Sequence, residues 1–446
     1  MRISGRRGAV ALARWGVSAH FLIMGWCSGV WLARIPAAKT QAHLSDGSLG
    51  IALFAVPVGL VLGAALAERL VDRAGSALLV RITGLASCVA TTLPGFAHEL
   101  PVLMASLFVI GTVSGTLDVS QNAQGVRVEA AYGRPVMTSM HAFYSLGAIL
   151  GSLAGGGFAL AGIGLLPSLA AAGITGLIVD GIAGFWLLPE APEPAGPDPA
   201  ALPVDAISGP ALAGAVPTEA AAMPAEPAAV PSAATAAPAT AVDRRRVRRL
   251  VLALGVLGIC GLVCEGAAGD WSAVYLRDNL GTSAGLAAFG FAAFSVTMTV
   301  GRAVGDQLIH RFGVVTVIRA SGVIATAGIA LAISTPVPAV TIAGFTAFGA
   351  GLSIVVPQVF AAGGRADPER PGAGLARVVG LGYTGMAAGP AIIGLVANQI
   401  GLHLALVILV VLAAWIAVAA SALGEPRNRF GKLTSPIADQ EAAGIP

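Results

Sequence analysis

Two stretches, ERLVDRAGSALLVR (68–81) and GDQLIHRFGVVTVIR (305–319), carry one pattern of charge and glycine at an offset of 238 residues. Glu68, Asp72, Arg73, Gly75, Arg81 and Gly84 align with Asp306, His310, Arg311, Gly313, Arg319 and Gly322. Each stretch is a short charged island between apolar runs. The register returns elsewhere: Gly29, Trp31 and Ala33 align with Gly269, Trp271 and Ala273 at 240, and Tyr144 and Ser145 with Tyr383 and Thr384 at 239. A repeat this long in a chain of 446 residues means two similar halves placed one after the other.

The apolar runs around those islands set the fold class. Hydrophobic residues make up 56% of the chain and charged residues 11%, where soluble domains carry about 25% charged. The mean hydropathy is +0.82. In lipid every backbone polar group must be paired internally, so only helices and closed barrels span a bilayer. The runs are about 20 residues long, the length a helix needs to cross, and lack the alternation of barrel strands. Helices are expected near 13–34, 48–69, 78–97, 102–125, 137–161 and 164–188, then near 248–276, 283–306, 314–335, 338–361, 375–398 and 402–424. The expected fold is an all-α membrane protein of 12 transmembrane helices in two pseudo-symmetric six-helix bundles. The bundles occupy 1–188 and 248–424, joined by an Ala/Pro-rich linker (189–247) too poor in apolar bulk to fold and followed by a tail (425–446).

Basic residues orient the chain. With both termini and the linker in the cytoplasm, only Arg34, Lys39 and Arg277 face outward, and the other 23 of 26 fall on the inner side. That asymmetry is what the positive-inside rule requires, and it implies a multi-pass protein of a bacterial-type inner membrane. The run Arg244, Arg245, Arg246, Arg248 and Arg249 directly precedes a span, so it is a topology anchor rather than a nucleic-acid patch. Cys27, Cys88, Cys260 and Cys264 all sit in apolar segments, where packing rather than a disulfide framework is expected.

The two charged loops resemble the loop motif G-x-x-x-D-R-x-G-R-R of the major facilitator superfamily, with Glu68 and Asp306 at its leading Gly and His310 at its second Asp. GTVSGTLDVSQNAQGVRVE (111–129), SMHAFYSLGAILG (139–151), CEGAAGDWSAVYLRD (264–278) and GYTGMAAGPAIIG (382–394) resemble the branch related to bacterial fucose permeases, many members of which have no assigned substrate. The resemblance covers nearly all of the chain outside the linker and tails. It implies a proton-coupling carboxylate on the fourth helix four residues before an Asn, which is Asp118 before Asn122 here. The permeases' second acidic position, on the first helix four before a Pro, is Leu32 here.

An ionisable residue inside a span is expensive and marks function by default. Gly111, Gly115, Asp118 and Asn122 are spaced i, i+4, i+7, i+11 and share a helix face. The glycines admit a neighbouring helix, and Asp118 is the expected coupling carboxylate, a structural Asp being the alternative. Glu265 is the second candidate for proton or substrate binding. Glu265 and Asp270 lie about 140° apart on an ideal helix, so both face one cavity only if Gly266 and Gly269 break it. Asp270 and Trp271 fit substrate contact, a gate or an interface anchor. Gln121, Asn122, Tyr144, Gln358 and Tyr383 are candidate hydrogen bonders for a polar substrate. His141, Glu68, Asp72, Arg73, Arg302, Asp306, His310 and Arg311 are expected at the inner gate, where salt bridges between loops would form and break.

Parallel repeats joined by a linker are the layout of transporters whose halves rock about a central site. The expected function is secondary transport of a small polar solute, of which a sugar is the leading kind, coupled to protons, by a chain acting as a monomer. A proton antiporter exporting small organic molecules is the nearest alternative, and a non-transporting sensor is a third. HExxH and Walker motifs are absent, so neither an enzyme nor ATP-driven transport is expected, and no cofactor or metal is implied.

Overall fold

The computed structural model describes residues 2–133, 136–189, 244–366 and 371–424. The segment 190–243 and the tail 425–446, expected as linker and tail, lie outside the described residues, as does the side chain of Glu68. The first half contains α1 (Arg2–Gln41), α2 (Asp46–Ala74), α3 (Ser76–Ala90), α4 (Leu100–Tyr132), α5 (Met137–Leu160) and α6 (Leu165–Ala183). The second begins with α7 (Arg244–Val274), continued by a π turn (Tyr275–Asn279), then α8 (Ala284–Phe312) and α9 (Val314–Ser334). Its tenth span is broken into α10 (Pro338–Leu352) and α11 (Val355–Ala366). The eleventh is α12 (Pro371–Ile400), and the twelfth is α13 (Leu402–Ala405) plus α14 (Val407–Ala419). Among the described residues, 12 helical stretches are long and apolar enough to cross a membrane. α1 outruns the expected 13–34 at both ends, because a helix continues past the hydrocarbon core wherever its flanking turns tolerate water.

The repeat persists at the level of single caps. Ser45 caps α2 by accepting from the Ser48 N–H at 3.2 Å, and Ser283, 238 positions on, caps α8 by accepting from the Leu286 N–H at 3.3 Å. Gly75 and Gly313, aligned in the charged loops, end α2 and α8 with φ 79° each and ψ of 151° and 147°. A side chain is strained at that φ, which accounts for glycine at both positions.

Within the first half α1 runs along α5 and α2 along α4; within the second, α7 runs along α12 and α8 along α10. Between halves, α2 packs on α12 and α5 on α8, two contacts that the internal symmetry exchanges. One end of the bundle, here the terminal face, carries the starts of α1 and α7 and the end of α14; the other is the far face. The outward surface is apolar, with Leu62, Ile82, Ile174, Val300, Val411 and Val418 all exposed, as lipid contact requires. Hydroxyls within the spans bond back to carbonyls one turn earlier, as Thr83 does to Leu79 at 2.7 Å, so they cost little in lipid.

Candidate functional site

A cavity of about 310 Å³ lies between the halves, walled by residues of α1 to α5 from one and α7, α8 and α12 from the other. Three of these helices contain an interior proline: Pro36 in α1, Pro57 in α2 and Pro390 in α12. Proline lacks the N–H that would bond four residues back, which frees the carbonyls of Leu32, Leu53 and Met386. Each of those residues lines the cavity, so acceptors without a partner in their own helix lie along its wall.

The charged feature of the wall is an ion pair. Arg302 on α8 donates through Nη2 to Glu265 Oε1 on α7 at 3.1 Å, and both side chains are mostly buried, at 18% exposure. Arg302 also donates through Nε to the Ser353 carbonyl at 3.2 Å. The break in the tenth span explains that second bond. Pro357 cannot donate to Ser353 four residues earlier, so the span splits there and Arg302 satisfies the orphaned carbonyl. Arg302 therefore belongs to the cavity, about 15 Å up its helix from Phe312, and not to the loop cluster expected at the inner gate.

Both Glu265 and Asp270 line the cavity while α7 remains continuous from Arg244 to Val274. The expected helix break is not needed. Gly266 and Gly269 lie on the arc between the two carboxylates and also line the cavity, so the wall recedes there and the cavity wraps round that side of the helix. Tyr144 on α5 lies in the same wall, bonded to Ser28 and within electrostatic range of Asp118, Glu265 and Arg302.

Asp118 is half-buried on α4, behind the lining, and accepts from Asn122 Nδ2 at 3.1 Å. The glycines on its face pack as the spacing predicts: a methyl on Gly111 or Gly115 would strike the carbonyls of Val56 or Leu60 on α2. Gln121 is fully buried and donates to the Sδ of Met24, a cavity residue, at 3.2 Å. Trp271 is fully buried in the α7 core, away from the lining. Gln358 on α11 is half-buried, and Tyr383 on α12 packs its ring 6.4 Å from Phe360. His141 donates from Nδ1 to the Met137 carbonyl at 3.0 Å with its ring 4.6 Å from Phe21.

The expected gate charges Asp72, Arg73, Asp306, His310 and Arg311 are all exposed, and among the described residues they form no ion pair with one another. The far face is different. Lys39 at the end of α1 bridges Asp46 at 2.6 Å and Asp278, in the other half, at 2.5 Å. Close packing between the halves also lies there: Gly50 against the backbone of Pro390 and Gly394, and Gly285 against the side chain of Leu160. Lys39→Gln should weaken this closure by about 1 kcal/mol, the scale of a partly exposed pair. Maleimide applied from the far face should then label Cys27, a cavity residue, roughly fivefold faster; an unchanged rate would mean the bridge holds nothing shut.

A buried polar pair on α1 and α6 went unread in the sequence. His20 on α1 and Asp180 on α6 meet at 3.0 Å, both essentially unexposed, with Cys88 Sγ 3.8 Å from Asp180. An Asp in the middle of an apolar span was sufficient signal for Asp180, but nothing local marked its partner.

The chain is similar to known proteins over most of its length. An uncharacterized transporter of Sinorhizobium fredii is 30% identical over 92% of this chain and 97% of its own length. Membrane protein MosC of Rhizobium meliloti is 26% identical over 93% and 91%. Among solved structures, the nucleoside transporter NupG superposes with TM-score 0.65 at 12% identity, covering 92% of this chain and 98% of that one. A bacterial homologue of the human lysosomal transporter Spinster, inward-facing and occupied, does so with TM-score 0.64 at 14% identity over 92% and 95%. At those identities the likeness is one of fold. The sequence pattern of the Major Facilitator Superfamily matches residues 16–364, which spans both repeated loops and both sides of the cavity, and the chain belongs to that superfamily of membrane transporters.

Proposed function

We propose that this protein is a secondary active transporter that moves a small polar, sugar-like solute across the inner membrane by alternating access, with protons as the coupling ion. The observation that carries the proposal is the Glu265–Arg302 pair in a cavity between two repeated halves. With the terminal face in the cytoplasm, as the distribution of basic residues favours, the Lys39–Asp278 bridge seals the outer side while the inner loop charges stand apart. Those loop charges, Asp72, Arg73, Asp306, His310 and Arg311, would pair across the halves in the opposite state. Protonation of Glu265 would release Arg302, and Asp118, within electrostatic range of Tyr144 in the cavity wall, would bind and release the coupling proton. Asn122 and Gln121 hold that region, and Tyr144, Asp270 and the freed carbonyls offer hydrogen bonds to hydroxyls.

Trp31, Phe291, Phe294, Met298 and Met386 also line the cavity. That apolar surface favours a second reading, proton-driven export of small organic molecules with an apolar ring.

Proteoliposomes under an imposed pH gradient, screened with labelled sugars and a panel of amphipathic organic compounds, separate these readings by substrate and by direction. Asp118→Asn should abolish gradient-driven accumulation, and accumulation equal to the unaltered protein would remove Asp118 from the coupling mechanism. Flux of none of the tested solutes, with the protein correctly folded, would count against both substrate classes.

A further inference from the structure

Among the described residues, the lysines and arginines of the far face are Arg34, Lys39 and Arg277. Lys39 is engaged by Asp46 and Asp278. The other two converge on a second pocket of about 300 Å³, lined by Arg34 of the first half, Arg277 of the second, and the segments where α6 and α8 begin. No Asp or Glu is among its lining residues. The two guanidinium groups lie within electrostatic range and repel one another.

Arg34 is 4% exposed. One of its nitrogens, Nη2, donates to the Ile163 carbonyl at 2.7 Å, while Nε is buried with no hydrogen-bond partner among the described residues. A buried donor left unpaired is costly, more so on a charged group. The N-terminus of α6 adds to the positive potential. Gly164, which precedes α6 without a side-chain cap, and Leu165 line the pocket. The first amides of a helix have no intrahelical acceptor and favour an anion. Two arginines, an orphaned guanidinium N–H and the uncapped start of α6 thus surround a space with no negative charge in its wall.

We infer that this pocket binds a small oxyanion, a phosphate or carboxylate group, which bridges Arg34 and Arg277 and so ties the two halves together at the far face. The anion would complete the closure that Lys39 and Asp278 begin. Its source is either a free ion or a lipid headgroup.

The test uses the full chain purified in detergent, with thermal unfolding followed in inorganic phosphate against chloride at matched ionic strength. A ligand that binds only the folded state raises Tm in proportion to the logarithm of its excess over Kd. Phosphate should raise Tm by several degrees, and Arg277→Gln should remove that rise while keeping nearly the same Tm in chloride, since Arg277 is half-exposed at a helix end. A parallel arm compares micelles doped with phosphatidylglycerol or with phosphatidylcholine. An Arg277-dependent rise with phosphatidylglycerol alone supports the site and assigns a lipid headgroup to it. The same rise in Arg277→Gln as in the unaltered protein, or no rise with either anion, overturns it. Arg34→Gln is the weaker variant, because it also removes the bond to Ile163. The readout involves no flux, so its failure leaves the proposed transport untouched.

Discussion

Arg302→Ala should lower solute flux by at least about 100-fold, equivalent to about 2.7 kcal/mol in the limiting step. The residue has two partners at once. Removing it leaves Glu265 without its counter-charge in the cavity wall, and it strands the Ser353 carbonyl that Pro357 already denies a helical partner. An unsatisfied buried carbonyl costs about 1–3 kcal/mol by itself. The Glu265 contribution is smaller than for a sealed pair, because the cavity keeps both groups partly solvated. Arg302→Lys restores the charge but offers a single ammonium where a planar fork spans two acceptors, so its flux should lie between the two. The measurement is initial uptake in vesicles, normalised to folded protein. Flux in Arg302→Ala within twofold of the unaltered protein would show that the ion pair is scaffolding and not part of the transport cycle.

Gly147→Val should prevent the first half from assembling. Gly25 and Gly29 on α1 pack against the backbone of Tyr144, Ala148 and Ser152 on α5, Gly151 on α5 packs against the backbone of Trp26 and Val30 on α1, and a methyl on Gly147 would overlap the Leu22 carbonyl on α1. The obstacle is backbone, which cannot rotate away as a side chain can. In lipid, helices associate through close packing of small residues rather than through the hydrophobic effect, so separating α1 from α5 removes the attraction itself. A loss beyond about 4 kcal/mol is expected, at the extreme of single substitutions. Gly157→Ala is the control on the same helix, because its added methyl meets open space. Size-exclusion profiles in detergent should show Gly157→Ala as a single folded species and Gly147→Val as aggregate. A monodisperse Gly147→Val with normal Tm would mean that α1 and α5 need not approach so closely.

The sequence alone determined the span number, the pairing of the halves and the special backbone positions. Hydropathy over 20 residues is a local sum, and the repeated Ser45/Ser283 and Gly75/Gly313 answer local demands of capping and positive φ. Gly111 and Gly115 were legible for the same reason, since spacing on one helix fixes a face. Which faces meet is decided by tertiary structure. Lys39 finds Asp278 across 239 residues, His20 finds Asp180, and Arg302 leaves the loop cluster its sequence neighbours suggest to bond Glu265 and Ser353. Those contacts depend on the rotation and depth of rigid helices relative to one another. That arrangement is set by many small packing terms spread over two bundles, and no window of residues contains it.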